Sequence, residues 1–295
     1  MRSISRNIRD LLKVSSDYLA KKQIENPRLN AEVLLAHQLR INRVDLYLNF
    51  DKPLNEKEIS GYRNLIRRRL IQEPLQYITG IQEFWSIEFA VNPDVLIPRP
   101  ETELLVEKAC EIICPDGSHV KHNPPKILDL GTGCGVIAVS MAKEIQNGRI
   151  WATDQSTEAL RTARLNAETH EVLDRIQFLE GDLWQPLADQ NLTFDMILSN
   201  PPYIAPKEYD DLPHEVSKYE PRLALDGGED GMHYIGRIIR GATDFLNPGA
   251  WLIMEMSPDQ TEKAIKLIEQ VGGYGEKIRI KDYSHRYRAV MAQGL

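Results

Sequence analysis

The sequence predicts an α/β protein in which a doubly wound, mostly parallel seven-stranded sheet follows a small N-terminal helical bundle and a β-hairpin linker. Three observations predict this. From Lys126 onward, short apolar runs alternate with helix-period segments, the pattern of parallel strands joined by crossover helices. Residues 1–75 place their apolar side chains at helical spacing and carry no strand signal. Between these parts the composition turns aromatic and β-branched, as a hairpin requires.

In the first part, Leu11, Leu12 and Val14, then Leu29, Val33, Leu34 and Leu39, form amphipathic stripes. Asn55 followed by Glu58 reads as a helix cap with its reciprocal acid, opening a helix that carries Tyr62, Leu65, Ile66 and Leu70 and stops at Pro74. Arg67, Arg68 and Arg69 are consecutive on that helix, so they fan around its axis and read as a solvated face. In the linker, Tyr77, Ile78, Ile81, Phe84, Trp85, Ile87, Phe89 and Val91 read as strand residues, with Gly80 supplying a turn. A helix is expected from about Glu101 to Cys114 with Pro100 in its first turn, then a loop over Pro115–Pro125. The expected strands are 127–130, 150–153, 176–179, 194–199, 251–255 and two closing strands, with helices over 136–144, 157–167, 234–245 and 259–269. The domains are accordingly read as 1–75, 76–98 and 99–295.

Of 295 residues, 42% are hydrophobic and 27% charged, the balance of a soluble globular chain, and no apolar run is long enough to span a bilayer. The N-terminus lacks the apolar core of a secretion signal, and three cysteines, Cys110, Cys114 and Cys134, make no disulfide framework, so a cytoplasmic location is expected. Cys110 and Cys114 lack the flanking ligands of a metal site and read as small buried hydrophobes; no metal is expected. Residues 1–75 hold 15 Lys and Arg against 9 Asp and Glu, which leaves 21 against 34 of the total 36 and 43 for the remainder. Such an acidic larger part argues against an enzyme of duplex DNA, whose cleft is normally basic.

Asn200-Pro201-Pro202-Tyr203 follows the buried-strand pattern Phe194–Ser199 and therefore stands where a strand ends. Two prolines make the segment stiff and remove its donors. What remains is a row of acceptors, the Asn200 side-chain carbonyl and the Pro201 backbone carbonyl, matched to the two hydrogens of a planar amide or exocyclic NH2. Tyr203 offers a flat wall for stacking. Asp129-Leu130-Gly131-Thr132-Gly133-Cys134-Gly135 joins the first strand of the alternating series to its helix, the context of a nucleotide-binding glycine loop. Val136 replaces the last glycine of the dinucleotide fingerprint, so the loop suits a ligand without a pyrophosphate. Asp129 would repel phosphate and suits an ammonium or sulfonium charge. Asp154 ends the next strand, where its carboxylate can accept both hydroxyls of a ribose, from a dinucleotide or from S-adenosylmethionine, or else cap the following helix. Asp182 and Leu183 end the third strand at the same edge, within reach of an adenine, and Trp184 reads equally as core.

With glycine loop, ribose acid and NPPY in this order, the chain resembles the class I S-adenosylmethionine-dependent methyltransferases and, more narrowly, the glutamine N5-methyltransferases of peptide-chain release factors, the HemK/PrmC family. The resemblance spans the whole chain and is most specific in Ile97-Pro98-Arg99-Pro100-Glu101-Thr102-Glu103 and in the Tyr219–Gly231 segment YEPRLALDGGEDG. It implies a Rossmann-like fold, S-adenosylmethionine held by Gly131–Gly135, Asp154, Asp182 or Leu183, and Asn200, and a substrate glutamine held by Asn200–Tyr203. A release factor is the implied partner; glutamine methylation of a ribosomal protein and amino-methylation of a nucleic-acid base remain the alternatives.

Overall fold

The computed structural model describes residues 7–115 and 124–295. Most of the loop expected over 115–125 therefore lies outside the described residues. Internal contacts divide the chain into two compact units, Met1–Ile81 with Pro213–Tyr219, and Gln82–Leu212 with Glu220–Leu295.

The first unit is helical: α1 (Ile8–Lys21), α2 (Pro27–Leu39), α3 (Arg43–Leu48), α4 (Glu56–Leu70) and α5 (Leu75–Thr79). Its core is the apolar stripe of each helix, including Leu12, Leu19, Leu34, Leu35, Leu46 and Tyr62. Asn55 and Glu58 form the expected reciprocal cap at the start of α4, at 2.9 and 2.8 Å. The three arginines do fan around α4, but they are not one solvated face. Arg69 is buried, donating to Asn30 Oδ1 at 2.7 Å and the Glu73 carbonyl at 2.9 Å and pairing with Glu215 at 2.8 Å. A buried guanidinium persists here because its Nε and Nη1 donors are committed to these three partners, one of them a carboxylate. Arg68 forms a bidentate pair with Glu73. Tyr77 and Ile78, expected in a strand, lie instead in α5, which Pro74 opens and Gly80 closes in the left-handed conformation at φ 78°.

The second unit begins with the hairpin β1 (Ile81–Phe84) and β2 (Ile87–Ala90). Its turn is Trp85-Ser86, both at positive φ (52° and 59°), rather than Gly80. Such a two-residue turn matches the strand twist. Glu103 supports it by accepting the Trp85 N–H at 2.8 Å. A short 3-10 turn, Pro100–Thr102, leads into α6 (Glu103–Ile113), where Cys110 and Cys114 are half-buried rather than fully enclosed.

The remaining elements alternate as expected: β3 (Lys126–Leu130), α7 (Val136–Glu144), β4 (Arg149–Asp154), α8 (Thr157–Thr169), β5 (Ile176–Glu180), β6 (Phe194–Ser199), α9 (His214–Tyr219, in the helical unit), α10 (His233–Ala242), β7 (Leu246–Glu255), α11 (Pro258–Val271), β8 (Tyr274–Lys281) and β9 (Tyr287–Gly294). The seven strands β3–β9 form one sheet ordered β5-β4-β3-β6-β7-β9-β8, parallel except where β9 joins β7 and β8. This is the doubly wound Rossmann-like fold. Strand order reverses between β3 and β6, and ligands of such sheets bind beyond the carboxyl ends of the strands at that reversal.

Register makes that edge specific. Leu130 of β3 lies opposite Thr153 of β4 and Ser199 of β6, and Ser199 lies opposite Met254 of β7. The next residue along each strand direction is Gly131, Asp154, Asn200 and Glu255, so four chemically distinct positions emerge side by side. Beneath them the strands bury Leu128, Leu130, Ile197, Leu252 and Met254 in a continuous core.

Candidate functional site

At this edge lies a cavity of about 250 Å³, lined by the glycine loop, Asp154, Asp182, Leu183 and Asn200-Pro201-Pro202, by residues Pro93–Leu96, Pro98 and Thr102, and by Leu223, Ala224 and Tyr234. All of these belong to the second unit.

Gly131, Gly133 and Gly135 hold φ of 74°, 57° and 87°, a region that side chains with a Cβ enter only at a cost. A Cβ at Gly131 or Gly133 would meet nothing within 4 Å, which leaves backbone open to close approach, whereas Gly135 packs on Ala163 of α8. The loop is held from below by Asp129. Its carboxylate accepts from Thr132 Oγ1 at 2.6 Å and the Ala138 N–H at 3.1 Å. Asp129 is fully buried behind the loop and does not line the cavity, so its place is that of a brace rather than of a counter-charge at the cavity wall. Burial pushes its carboxyl up to about 7. Thr132 and Cys134 are buried too, though both reach the cavity wall.

Asp154 lines the cavity with both oxygens oriented: Oδ2 accepts the Gly133 N–H and Oδ1 the Ser156 N–H, each at 2.9 Å. Burial pushes its carboxyl above the usual aspartate range, against the pull of those N–H groups. The cap of α8 is Ser156, not Asp154, because the Ser156 hydroxyl accepts from the Ala159 N–H at 3.1 Å. Asp182 reaches the cavity while forming a two-bond pair with Arg237 at 2.6 and 3.2 Å, and Leu183 sits at φ 48°, an uncommon conformation for a branched side chain. Trp184 belongs to the core: it stacks on Phe245 at 4.9 Å and donates to the Arg237 carbonyl.

Asn200, Pro201 and Pro202 line the cavity, but Tyr203, expected as a stacking wall, does not. Its ring packs against the core and its hydroxyl donates to Glu255 Oε1 at 3.1 Å. Burial pushes that hydroxyl's pKa up, and the neighbouring Glu255 carboxylate adds to the effect. The YEPRLALDGGEDG segment explains how NPPY is fixed. The Ile204 N–H donates to the Leu225 carbonyl and the Gly227 N–H to the Ile204 carbonyl, both at 2.9 Å, while Gln260 Nε2 donates to the Tyr203 carbonyl at 2.8 Å. A Cβ at Gly227 or Gly231 would come within 2.6 and 2.4 Å of Tyr203 backbone atoms. Glu220 ties the other motif in, accepting from Arg99 at 2.5 Å and from the Ile97 N–H at 3.2 Å.

The sequence reading missed Glu255, Thr102, Gln260 and Glu220. Glu255 carried a signal, a carboxylate at the end of an apolar strand in the alternating series. Thr102 and Glu220 stand inside the two segments that carry the resemblance but were given no role, and Gln260 gave no signal, since their partners are 98, 121 and 57 positions away.

The donor set fits S-adenosylmethionine: open glycine backbone for close approach, an oriented carboxylate for a ribose diol, and no cluster of phosphate-binding side chains at the loop. Among the described residues no group of His, Cys, Asp or Glu is arranged to hold a metal, and no helix among them is long and apolar enough to cross a membrane.

Comparison with known proteins agrees. Residues 10–80 match the PrmC N-terminal domain and residues 117–283 the methyltransferase small domain. A release factor glutamine methyltransferase of Geobacter sulfurreducens is 44% identical over 90% of this chain and 89% of its own length. Its counterpart in Rhodopirellula baltica is 42% identical over 96% and 95%. In fold, the hMettl16 catalytic domain, solved in complex with the MAT2A 3'UTR hairpin 6, superposes with a TM-score of 0.56 at 15% identity, covering 78% of this chain and 81% of that one. A T. thermophilus 16S rRNA methyltransferase in complex with AdoMet and guanosine gives 0.51 at 17% identity over 73% and 50%. A relative sharing more than two-fifths of its residues along nearly the full length of both chains settles the assignment, and this chain belongs to the release factor glutamine methyltransferase family.

Proposed function

We infer that the protein transfers a methyl group from S-adenosylmethionine to the side-chain amide nitrogen of the glutamine in the Gly-Gly-Gln loop of peptide chain release factors, modulating translation termination. The observation that supports this reading is that Asn200 and Pro201, the first and second residues beyond the end of β6, line the cavity together with the glycine loop. S-adenosylmethionine supplies, when bound, a methyl carbon made electrophilic by its sulfonium.

An amide nitrogen is a weak nucleophile because its lone pair is delocalised into the carbonyl. Asn200 Oδ1 and the Pro201 carbonyl accept the two amide hydrogens and so fix the nitrogen's orientation. Well-oriented approach lowers a barrier by up to roughly 7–11 kcal/mol. The same two dipoles favour the positive charge that grows on nitrogen, and the surplus proton leaves from the Asn200 or Pro201 hydrogen bond to water. Asp154 and the glycine loop hold the adenosyl end, and Asp182 and Leu183 border its base. The helical domain recognises the protein substrate. The reaction belongs to the cytoplasm, where translation terminates, and duplex DNA is not a partner.

Incubation with labelled S-adenosylmethionine and a bacterial-type release factor should place one methyl on that glutamine and none on a glutamine-to-alanine release factor. Label on duplex DNA or on a ribosomal protein, with none on the release factor, would overturn the reading.

A further inference from the structure

Asn200 presents a problem that the acceptor pair alone does not solve. A carboxamide has nearly the same shape with its oxygen and nitrogen exchanged, so packing does not decide which end faces the cavity. With NH2 outward the site would oppose donor to donor and repel the substrate amide. Something must fix the polarity.

The structure holds such a device. Asn200 Nδ2 donates to Thr102 Oγ1 at 3.0 Å, and Thr102 Oγ1 donates to Glu255 Oε2 at 2.6 Å. Tyr203 donates its hydroxyl hydrogen to the other carboxylate oxygen, Oε1, at 3.1 Å. Thr102 and Glu255 are buried, at 2% and 1% exposure, so water does not substitute for these partners. An ionised carboxylate carries no hydrogen and a threonine hydroxyl carries one. That hydrogen is committed to Glu255, which leaves only lone pairs on Thr102 Oγ1 toward Asn200. Asn200 must then turn its NH2 to Thr102, and among the described residues no hydrogen bond reaches its Oδ1. Burial pushes the Glu255 carboxyl above the usual glutamate range and Glu101 adds to it, against the pull of the Thr102 and Tyr203 hydroxyls and of Arg288; Oε2 accepts from Thr102 in the ionised form and equally when the proton sits on Oε1.

We propose that Thr102 and Glu255 are positioning residues for methyl transfer: Glu255 fixes the direction of the Thr102 hydroxyl, and Thr102 thereby locks the Asn200 carbonyl oxygen toward the substrate amide. The proposal rests on the functional reading above. It concerns the polarity of one chain of hydrogen bonds, and neither residue touches the reacting atoms.

Two substitutions at Thr102 separate polarity from packing. Thr102→Val keeps the shape and loses the hydroxyl, while Thr102→Ser keeps the hydroxyl and loses the methyl. The expected result for Thr102→Val is a kcat about 30-fold or more below wild type, the scale of losing one positioned hydrogen-bond interaction, with S-adenosylmethionine affinity and release-factor KM within about threefold. Thr102→Ser should stay within about threefold of wild-type kcat. A packing role predicts the reverse order, and that outcome overturns the proposal.

Glu255→Gln provides a second arm if Thr102→Val fails to fold. The new carboxamide satisfies the Tyr203 hydrogen only with its oxygen toward Tyr203, which turns its NH2 to Thr102 and reverses the chain. This variant should lose kcat and also lose its preference for glutamine over glutamate at the methylated position, measured as binding of the two release-factor forms. Wild-type kcat and unchanged discrimination in Glu255→Gln overturn the relay. Wild-type enzyme that leaves the release factor unlabelled overturns the functional reading instead, so the two failures are distinguishable.

Discussion

Asp154 accepts the backbone N–H of Gly133 at 2.9 Å, joining the end of β4 to the glycine loop that follows β3. The same carboxylate that faces the cavity therefore also holds the loop beside it.

Asp154→Ala should weaken S-adenosylmethionine binding on two counts, lost ribose hydrogen bonds and a loosened loop. Hydrogen bonds to a charged group contribute roughly 1.5–3 kcal/mol each, so affinity should fall about tenfold or more. Titration calorimetry on the folded variant checks this, and unchanged affinity would remove Asp154 from the cofactor site.

Asn200→Ala should cut kcat at saturating substrate by about 10²-fold, the scale of losing a positioned acceptor at the developing charge. Its melting temperature should hold, because Asn200 sits at the cavity wall and outside the core. Near wild-type turnover would mean that the acceptor pair does not orient the amide.

Asp129 links stability to pH. Its carboxyl is raised to about 7 in the folded protein from an ordinary value of 3.8, so between those values the folded state holds a proton that the unfolded state has released. Stability contributed by Asp129 is thus fully present below about pH 4 and is lost as pH rises toward 7. Asp129→Asn, whose carboxamide oxygen can still accept from Thr132 and Ala138, should flatten the melting-temperature profile across this window. A profile parallel to wild type would show that Asp129 is not protonated there.

Gly231→Ala should destabilise the fold by about 1–3 kcal/mol, since it puts a Cβ in the left-handed region and within 2.3 Å of Gln260 Nε2 and 2.4 Å of the Tyr203 carbonyl oxygen. Gln260 would lose its hold on Tyr203. Denaturant titration with turnover measured alongside checks both effects; a variant equal to wild type in each would mean the loop does not fix NPPY.

What the sequence determined by itself were the features whose cause is local. Period-two and period-3.6 patterns placed the strands and helices of the sheet, the Asn55–Glu58 cap opened α4, and Gly131–Gly135, Asp154 and Asn200 were marked by standing just past strand ends. A strand end is written in the chain as a change of pattern, and the parallel topology then brings all such ends to one edge. The Pro74–Gly80 stretch was misread because five residues between a helix-opening proline and a left-handed glycine suit a short helix as well as a strand, and burial of Tyr77 and Ile78 decided between them.

Only the tertiary structure decided what stands behind each marked residue. Asp129 is turned under the loop, Tyr203 into the core against Glu255, and Arg69 into a buried pair with Glu215, because burial leaves each polar group dependent on a partner brought in by folding. The same holds for the orientation of Asn200. Its identity is one letter of the sequence, but the direction of its amide is set by Thr102 and Glu255, 98 and 55 positions away, through hydrogens that only the folded chain aligns.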